Sequence, residues 1–411
     1  MTTPDPPDRT DLPIGRRVAQ LRTRLGLTQQ VFADRLGRSK SWVDKIERGV
    51  RTLDRLSVIE AVAAVLGVDP EVLLPHPARR APATGLTAAV DRVRAALACY
   101  PTPTTTTDAP SQPPPSPAHL DRRLRHAWAA YRHAHHPQVM RLLPDLLTDI
   151  RHAETTAGTE HTADLLVRVY RLAAQTLVKL DAADLAWLAA DRAMAATAGD
   201  PRRTAVAAIP LAQALRALCR GRLAMAAPIT AAHRLLPAPS RASAPSDLAL
   251  AGTLLTEAAI AAATCADATA ARDLANRAAR LATVLGDHAR PDNGDLGFGP
   301  TTVDLARALI ATELGDTRHA ITTHQHATAS AAWNRLPAEH RAAHLIDIVR
   351  AHLDAGDPQA AGRALVIADR IAPAETRTRP AARAALTAVL RTGPTPADVT
   401  RLAATIGLAR Q

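Results

Sequence analysis

The chain has 411 residues, a length that favours two or three domains over a single hydrophobic core. Hydrophobic residues make up 47% of the sequence but aromatic residues only 2%, so alanine and leucine supply most of the apolar surface and favour closely packed helices. The formal net charge of +11 fits a polyanionic partner, and a general preference for arginine would explain it equally well.

Several classes of protein are disfavoured by what the sequence lacks. No apolar run approaches the ~20 residues that span a bilayer, and the N-terminal MTTPDPPDRTD lacks the basic and apolar regions of a secretory signal. Cys99, Cys219 and Cys265 have no metal-binding spacing, so we expect buried thiols in a reducing cytoplasm. Glycine-rich phosphate loops, HExxH and GxSxG are missing. We therefore expect a cytoplasmic protein that is not an enzyme, without catalytic residues, cofactor, metal site or membrane association.

Composition and periodicity divide the chain into four segments. Residues 1–11 are a short disordered lead, and residues 12–75 carry the apolar periodicity of a compact helical domain. Residues 76–118 form a linker rich in proline and threonine, which cannot bury a core. Over residues 119–411 helical patterns dominate, without convincing strand alternation. The predicted fold class is all-α.

One stretch of the linker departs from its surroundings. A short amphipathic helix is predicted there at about residues 86–99, because apolar residues recur at helical spacing. These residues are Leu86, Val90, Val93 and Leu97. Such a helix would serve for docking or dimer contact, or would lie frayed on the following domain.

The segment LTQQVFADRLGRSKSWVDKIERG predicts two short helices joined by a tight turn. Thr28 is the expected N-cap of a helix over Gln29–Leu36, and Ser39 is the expected N-cap of a helix that runs to about Glu47. Gly37 makes the turn between them, because glycine adopts a positive φ without steric strain.

Further helices flank this pair. The first should run from about Pro13 to Leu25 and end at Gly26. The pattern LDRLSVIEAVAAVLGV predicts a fourth helix, and Asp69–Leu74 predicts a fifth. Ala33 is small enough to lie where the second and third helices cross.

A set of residues in this segment matches a known pattern: Gln29, Ala33, Gly37, Val43, Ile46 and the ERG at 47–49. On these residues the domain resembles the Cro/C1-type (XRE-family) helix-turn-helix domain over roughly 60 residues. The resemblance implies a homodimer that binds a double-stranded DNA operator, on half-sites about one helical turn, ~34 Å, apart.

Carried over by position, the resemblance implies roles for side chains on and around the third helix. Four would approach base edges: Lys40, Ser41, Asp44 and Lys45. Five would contact phosphate: Gln29, Arg38, Ser39, Arg48 and Arg51. Asp44 would accept from cytosine, or would pair with Lys40 or Arg48 instead. An ion pair between Arg22 and Glu47 would link the first and third helices.

After residue 119 a helical pattern recurs, with a small or polar turn followed by a helix rich in alanine and leucine. The turns lie roughly 40–50 residues apart, longer than the ~34 of a strict tetratricopeptide repeat. Their anchors are Asp181, Gly221, Asp267, Gly315 and Gly356. We therefore predict an α-solenoid of about six degenerate, tetratricopeptide-like hairpins. A terminal helix near Pro380–Arg391 would close it, and a second at Pro396–Ile406 is compatible with the pattern.

The stretch Gly297–Pro373 resembles the C-terminal half of actinobacterial regulators that join an XRE-family head to a tetratricopeptide-like body. Those proteins often have asparagine where this chain has Thr302, and threonine reproduces only part of the way an amide clamps a peptide backbone. The predicted superhelix has a concave groove for a peptide or small-molecule effector. Groove candidates on the first helix of each hairpin are Arg168, Arg171, Gln175, Gln213, Arg216, Glu257, Thr302, Asp304, Arg307, His344, Asp347 and Arg350.

Four histidines cluster near the start of the solenoid: His126, His133, His135 and His136. Two of them, His133 and His136, have the i, i+3 spacing of a metal chelate, but no carboxylate or cysteine completes a site. We therefore expect surface histidines.

Two functions fit these features. The first is a sequence-specific transcription regulator whose solenoid senses a signal and controls operator binding by a dimer, formed through the solenoid or the 86–99 helix. The alternative is a protein-interaction scaffold with a vestigial head. The basic and polar side chains that remain on the third helix favour the regulator.

Overall fold

The computed structural model describes residues 14–48, 56–66, 81–99, 115–236, 243–286 and 297–408. Within these ranges the chain consists of α-helices and turns, with one 3₁₀ turn at Trp333–Arg335 and no strand. The predicted all-α class is therefore confirmed. Internal contacts divide the chain into two units, Met1–Gly85 and Leu86–Gln411, which we call the head and the body.

Four helices of the head lie within the described ranges. They are α1 (Ile14–Arg24), α2 (Gln29–Arg35), α3 (Lys40–Glu47) and α4 (Leu56–Leu66). These correspond to the first four helices expected from the sequence. The fifth, expected at Asp69–Leu74, and Arg51 lie outside the described residues.

Glycine ends both α1 and α2. Gly26 and Gly37 have φ angles of 65° and 62°, in the left-handed region that lacks a Cβ penalty only for glycine. After α2, the N–H of Gly37 donates to the carbonyl of Asp34 (3.1 Å), and that of Arg38 to the carbonyl of Ala33 (2.9 Å). These two bonds form a Schellman turn, which directs the chain into α3.

Small residues let the helices of the head approach one another closely. Ala33 is completely buried between α2 and α3, as expected from the sequence. Gly15 has the same role between α1 and α3, because a Cβ at Gly15 would overlap the carbonyl oxygen of Ile46. Larger side chains complete the core: Val18, Phe32, Val43, Ile46, Val62 and Leu66. One face of α3 is thus fixed inside the head and the other faces outward.

The helices of the body follow in chain order, and the first of them begins before the boundary at Leu86 but lies mostly after it. They are α5 (Ala81–Ala98), α6 (Pro117–Arg132), α7 (His136–Ala157), α8 (Glu160–Lys179), α9 (Ala183–Ala195), α10 (Pro201–Ala217), α11 (Gly221–Leu235), α12 (Pro245–Thr264), α13 (Ala268–Leu285), α14 (Pro300–Glu313), α15 (Thr317–Ala329), α16 (Ala338–Asp347), α17 (Val349–Asp354), α18 (Pro358–Ile371), α19 (Pro373–Thr378), α20 (Pro380–Arg391) and α21 (Ala397–Ile406).

From α6 onward the described helices pair into six hairpins, as the repeat pattern predicted. The first helices are α6, α8, α10, α12, α14 and α16, and each contacts the next to form an inner layer. The second helices are α7, α9, α11, α13, α15 and α18, and each packs on the first helix of its own hairpin. The terminal helices α20 and α21 pack on α18, close to their predicted positions.

Each hairpin turn contains one residue in the left-handed conformation, with φ between 58° and 77°. These residues are Ala134, Asp181, Cys219, Ala266, Gly315 and Gly356. The next residue then donates to a carbonyl of the preceding helix, as Ala182 does to Leu177 (3.0 Å). Only two of the six are glycine, although this conformation costs other residues about 1–2 kcal/mol. Hairpin stacking therefore imposes the turn where the local sequence does not favour it.

The helix α5 belongs to the body, not to the linker predicted over residues 76–118. Val93 and Leu97 are completely buried in the same apolar cluster as Leu120 of α6. Arg151 of α7 also donates to the carbonyl of Cys99 (2.6 Å), directly after α5. The sequence left several roles open for this helix. The contacts support docking on the body, because the apolar face of α5 is buried there.

The helix α12 is unusually apolar, and the expectation of buried cysteine thiols was wrong. The helix α12 has the length and composition of a membrane span, with a mean hydropathy of 1.3 over its most apolar window. Most of that window (72%) is buried inside the body against α10, α11, α13 and α14, which accounts for its apolar character. The cysteines are exposed, because Cys99 follows α5, and Cys219 and Cys265 lie in hairpin turns.

The inner layer closes on itself. The last inner helix, α16, contacts α6, and α19 contacts α7. His136 of α7 donates to Glu375 of α19 across 239 positions of sequence, and both side chains are completely buried. Lys179 of α8 lies 2.6 Å from carboxylate oxygens of both Glu339 and Glu375. The predicted solenoid is therefore a closed ring, and His136 is a buried residue, not the surface histidine expected.

Candidate functional site

The two helices of the helix-turn-helix pair begin with side-chain caps. The Thr28 hydroxyl accepts from the N–H of Val31, and the Ser39 hydroxyl accepts from the N–H of Trp42, both at 3.2 Å. Each cap satisfies one of the N–H groups that a helix start leaves without an intrahelical partner. The remaining N–H groups at both starts retain the partial positive charge that attracts phosphate.

The outward face of α3 carries three polar side chains predicted to read bases. These are Lys40, Ser41 and Lys45, all exposed. None of them forms a hydrogen bond or ion pair with any residue that the structure describes. The opposite face of α3 is anchored by Val43 and Ile46, both buried. The outward face of α3 is therefore supported by buried side chains, and its donors are exposed to solvent.

Two further candidates on α3 interact with each other. Asp44 and Arg48 form an exposed ion pair one helical turn apart. Of the alternatives for Asp44, pairing with Arg48 is thus the one found, and contact with cytosine stays a prediction. Arg38 lies just before α3, with its guanidinium 5.7 Å from the centre of the Trp42 ring. This cation–π contact holds Arg38 beside the start of α3.

Glu47 connects α3 to α1 and α2. Its two carboxylate oxygens accept from Nε and Nη2 of Arg22, at 2.6 and 3.1 Å, so the ion pair implied by the resemblance is formed. Arg22 also donates to the carbonyl of Leu27 (2.6 Å), in the turn between α1 and α2. The Gln29 amide donates to Glu47 (2.8 Å), so this network occupies a side chain expected at phosphate. A phosphate contact by Gln29 stays a prediction.

The inner helices of the body surround a cavity of about 240 Å³, which we call the central cavity. Seven of the predicted groove residues line it: Gln175, Gln213, Arg216, Glu257, Thr302, His344 and Asp347. They come from α8, α10, α12, α14 and α16, as expected for the concave side of a solenoid. A role of these residues in binding a ligand stays a prediction.

Hydrogen bonds connect three neighbouring inner helices along the cavity wall. The Gln175 amide donates to Gln213 (3.3 Å), and the Gln213 amide donates to Glu257 (2.6 Å). Arg216 donates to the other carboxylate oxygen of Glu257 (2.8 Å). These bonds fix the side chains as a ladder across α8, α10 and α12.

The other five groove candidates lie elsewhere. Asp304 and Arg307 line a separate depression beside α13 and α15. The remaining three do not line the central cavity and have local partners. Arg168 pairs with Asp121 and Asp164, Arg171 lies over the ring of Trp128, and Arg350 pairs with Glu313. These three arginines contact side chains of neighbouring helices. Helical periodicity alone does not distinguish such positions from positions that line a cavity.

Thr302 has a local role in addition to lining the cavity. Its hydroxyl accepts from the N–H of Gly299 (3.0 Å) and donates to the carbonyl of the same residue (2.8 Å). Both hydrogen-bonding functions of the hydroxyl are thus used at the start of α14. The Thr302 hydroxyl therefore has little capacity left to form hydrogen bonds with a peptide backbone, as an asparagine amide there would.

The sequence reasoning missed the rest of the lining, including Tyr131, Lys179, Phe298, Glu339, His340 and Arg379. Two of them carried a signal in the composition. Lys179 is the sole lysine after the head, and Phe298 is one of two phenylalanines in the chain. Rare residue types in an arginine- and alanine-rich sequence mark positions where side-chain chemistry is constrained.

Burial and neighbouring charges set the protonation states around the cavity. Burial alone would lower the pKa of Lys179, but Glu339 and Glu375 outweigh it and raise the pKa, so the ammonium group stays charged. Burial raises the pKa of Tyr131 and lowers the pKa of His340 and His344. The phenol and both imidazoles are therefore neutral at neutral pH. Among the described residues no group of three or more histidine, cysteine, aspartate or glutamate side chains is placed to hold a metal ion.

Comparisons with known proteins bear on the head. Residues 13–75 match the family described as "Helix-turn-helix domain". The sequence matches no curated protein. Among solved structures, PlcR of Bacillus thuringiensis in complex with the peptide PapR7 and DNA is 14% identical, with a TM-score of 0.31 over 66% of this chain and 95% of that one. A mutant of PrgX is 11% identical, with a TM-score of 0.28 over 84% of this chain and 95% of that one.

The match to the domain family stands on the segment in which α1 to α4, both caps and the glycine turn are found. The chain therefore carries an N-terminal helix-turn-helix domain, followed by a body of helical hairpins.

Proposed function

We propose that this protein is a sequence-specific DNA-binding transcription regulator that acts as a homodimer, with a body that senses a small effector. The observation that supports it most is the outward face of α3. Lys40, Ser41 and Lys45 are exposed there on a helix whose opposite side is buried in a helix-turn-helix domain. In such domains this helix enters the major groove.

The side-chain types on this face suit base recognition. A lysine donates to O6 or N7 of guanine, and a serine hydroxyl donates or accepts. Arg38 and Arg48 flank the face and are exposed, so they are placed to contact phosphates. Phosphate contacts would set affinity and its salt dependence, whereas Lys40 and Ser41 would set the choice of sequence.

A single head offers a small reading surface, so two copies are expected to share a site with half-sites one helical turn apart. An effector in the body can control DNA binding only if it has different affinities for the two arrangements of the heads. The central cavity is the proposed effector site, because it lies between the inner helices and its wall combines polar and apolar side chains.

The test is a gel-shift titration of the full-length protein on DNA from upstream of its own gene, at several salt concentrations. Lys40→Ala with Ser41→Ala should reduce discrimination between the specific site and scrambled DNA by about tenfold or more. Arg48→Ala should weaken binding to both DNAs and lower the salt slope by about one. Arg391→Ala removes an equal charge from an exposed position of the body and should change neither.

The proposal fails if the protein shows no specific shift, or if the α3 variants bind as the unmodified protein does. Analytical ultracentrifugation of the complex supplies the stoichiometry. One protein chain per site would contradict the homodimer.

A further inference from the structure

The charged side chains around the central cavity are already paired with one another. Lys179 lies 2.6 Å from Glu339 and from Glu375, and Arg379 lies 3.0 Å from Asp347 and 3.3 Å from Glu375. Arg216 is paired with Glu257 in the ladder. An ionic ligand would lose its hydration without gaining an unpaired counter-ion, and this desolvation is unfavourable.

Neutral polar groups, in contrast, lack partners. Because the carboxylate of Glu257 only accepts, the Gln213 amide must turn its NH₂ toward Glu257 and its oxygen toward Gln175. Gln175 must then present its NH₂ to Gln213, which leaves Oε1 of this buried side chain without a partner among the described residues. An unsatisfied buried acceptor of this kind indicates a missing donor.

Two more neutral hydrogen-bonding groups lie on the cavity wall. Tyr131 is 3% exposed, and its hydroxyl forms no hydrogen bond with any described residue. His340 is half-buried and likewise forms none within the described ranges. A phenol and a neutral imidazole both donate and accept, so they would bind hydroxyl, carbonyl or amide groups.

An apolar wall faces these groups. Phe298 forms part of it, with its ring seated directly on Gly252 of α12, where a Cβ would overlap the ring. Ile260, Leu305 and Leu309 continue the apolar surface. A cavity of about 150 Å³ holds benzene, so about 240 Å³ has room for a larger ring system.

The closure of the ring limits the shape of an occupant. Lys179 joins α8 to α16 and α19 beside the cavity, where an open solenoid would leave the groove continuous. An extended peptide running along the inner helices would meet this bridge, and its charged termini would have no free counter-ion. A compact molecule avoids both conflicts.

We infer that the central cavity binds a small, uncharged molecule with an apolar ring or chain and at least one hydroxyl, carbonyl or amide group. This inference rests on the proposed sensing role of the body and narrows its effector to one chemical class. Charged metabolites and extended peptides are excluded as occupants.

A matched pair of fluorescent probes tests the charge preference. N-phenyl-1-naphthylamine is uncharged and has one N–H donor, and 1-anilinonaphthalene-8-sulfonate has the same rings with an added sulfonate. Both are titrated into the full-length protein without DNA. We expect saturable binding of the uncharged probe, with the sulfonate at least about tenfold weaker at the same site.

Two variants locate the binding site. Ala343→Leu fills the cavity from α16 and should weaken binding of the uncharged probe by about tenfold or more. Ala279→Leu adds the same atoms at a partly buried position of α13 that does not line the cavity, and should leave binding unchanged. Matching circular dichroism spectra establish that both variants fold.

The inference is overturned if the uncharged probe does not bind saturably, if Ala343→Leu leaves its affinity unchanged, or if the sulfonate binds the Ala343-sensitive site equally well. Its failure is separable from that of the DNA-binding proposal. Probe binding without a gel shift would refute only the regulator, and a specific gel shift without probe binding would refute only the ligand class.

Discussion

Glu375 takes part in the contacts that close the body, and the effect of replacing it can be predicted quantitatively. It is completely buried, accepts from His136, and lies within 3.3 Å of both Lys179 and Arg379. Glu375→Gln keeps the shape and removes the charge. Breaking a buried ion pair from one side costs about 3–5 kcal/mol. Since Lys179 retains Glu339 and Arg379 retains Asp347, we expect the lower end, a loss of about 3 kcal/mol in the free energy of unfolding at pH 7.

The same carboxylate predicts a pH dependence. Burial alone would raise the pKa of Glu375, but Lys179 and the hydrogen bond from His136 outweigh it and hold this pKa well below its usual value of 4.5. A carboxyl whose pKa is depressed by folding contributes its full stabilisation above its unfolded pKa and loses it as the pH falls below that value. The difference between the original protein and Glu375→Gln should therefore shrink between pH 5 and pH 3.

The assay is urea unfolding of the full-length protein, followed by far-ultraviolet circular dichroism at pH 7, 5, 4 and 3. Asp91→Asn is the matched control, because it removes a carboxylate from the exposed Asp91–Arg94 pair of α5 and should cost less than about 1 kcal/mol. A loss below about 1 kcal/mol for Glu375→Gln at pH 7, or a difference that does not change with pH, would refute the closure argument.

Three other substitutions test separate contacts. Gly15→Ala should destabilise the head by about 1–3 kcal/mol, measured by chemical denaturation of the head transition, because its Cβ would overlap the carbonyl of Ile46; unchanged stability would argue against the close approach of α1 and α3. Ser39→Ala should lower head stability by about 1 kcal/mol in the same assay through loss of the cap, with restoration expected in Ser39→Asp. Gly252→Ala should displace the ring of Phe298, so binding of N-phenyl-1-naphthylamine should weaken while the circular dichroism spectrum is retained; equal probe affinity would contradict this account of the apolar wall.

The head was predictable from sequence because its determinants are local. The hydroxyls of Thr28 and Ser39 accept from N–H groups only three residues later. The turn at Gly37 depends on the φ angle of that glycine itself. Gly15 was missed, because its contact with Ile46 depends on how two distant helices cross. The sequence showed a glycine in the first helix but not what lies against it.

The hairpins of the body were predictable from the sequence, but the contact between its first and last hairpins was not. Ala134, Cys219 and Ala266 adopt a turn conformation that their residue types disfavour, so the turns were visible only through the helices around them. The contact between His136 and Glu375 could not be predicted, because it does not follow from any repeated pattern in the sequence. Gln175 and Arg350 were both predicted to line the groove, but only Gln175 lines the central cavity, whereas Arg350 pairs with Glu313.

Closing the ring also changes how the chain must fold. In an open array each hairpin contacts only its neighbours, so the ends can fray and nascent repeats can fold as they are synthesised. Here the first hairpin has a buried partner 239 residues later, at Glu375, and this contact of high sequence separation can form only after nearly the whole chain exists. The two ends of the array then protect each other from fraying. A nascent or truncated chain that stops before α19 lacks both Glu375 and Arg379. The central cavity can therefore assemble only after α19 and Arg379 have been synthesised.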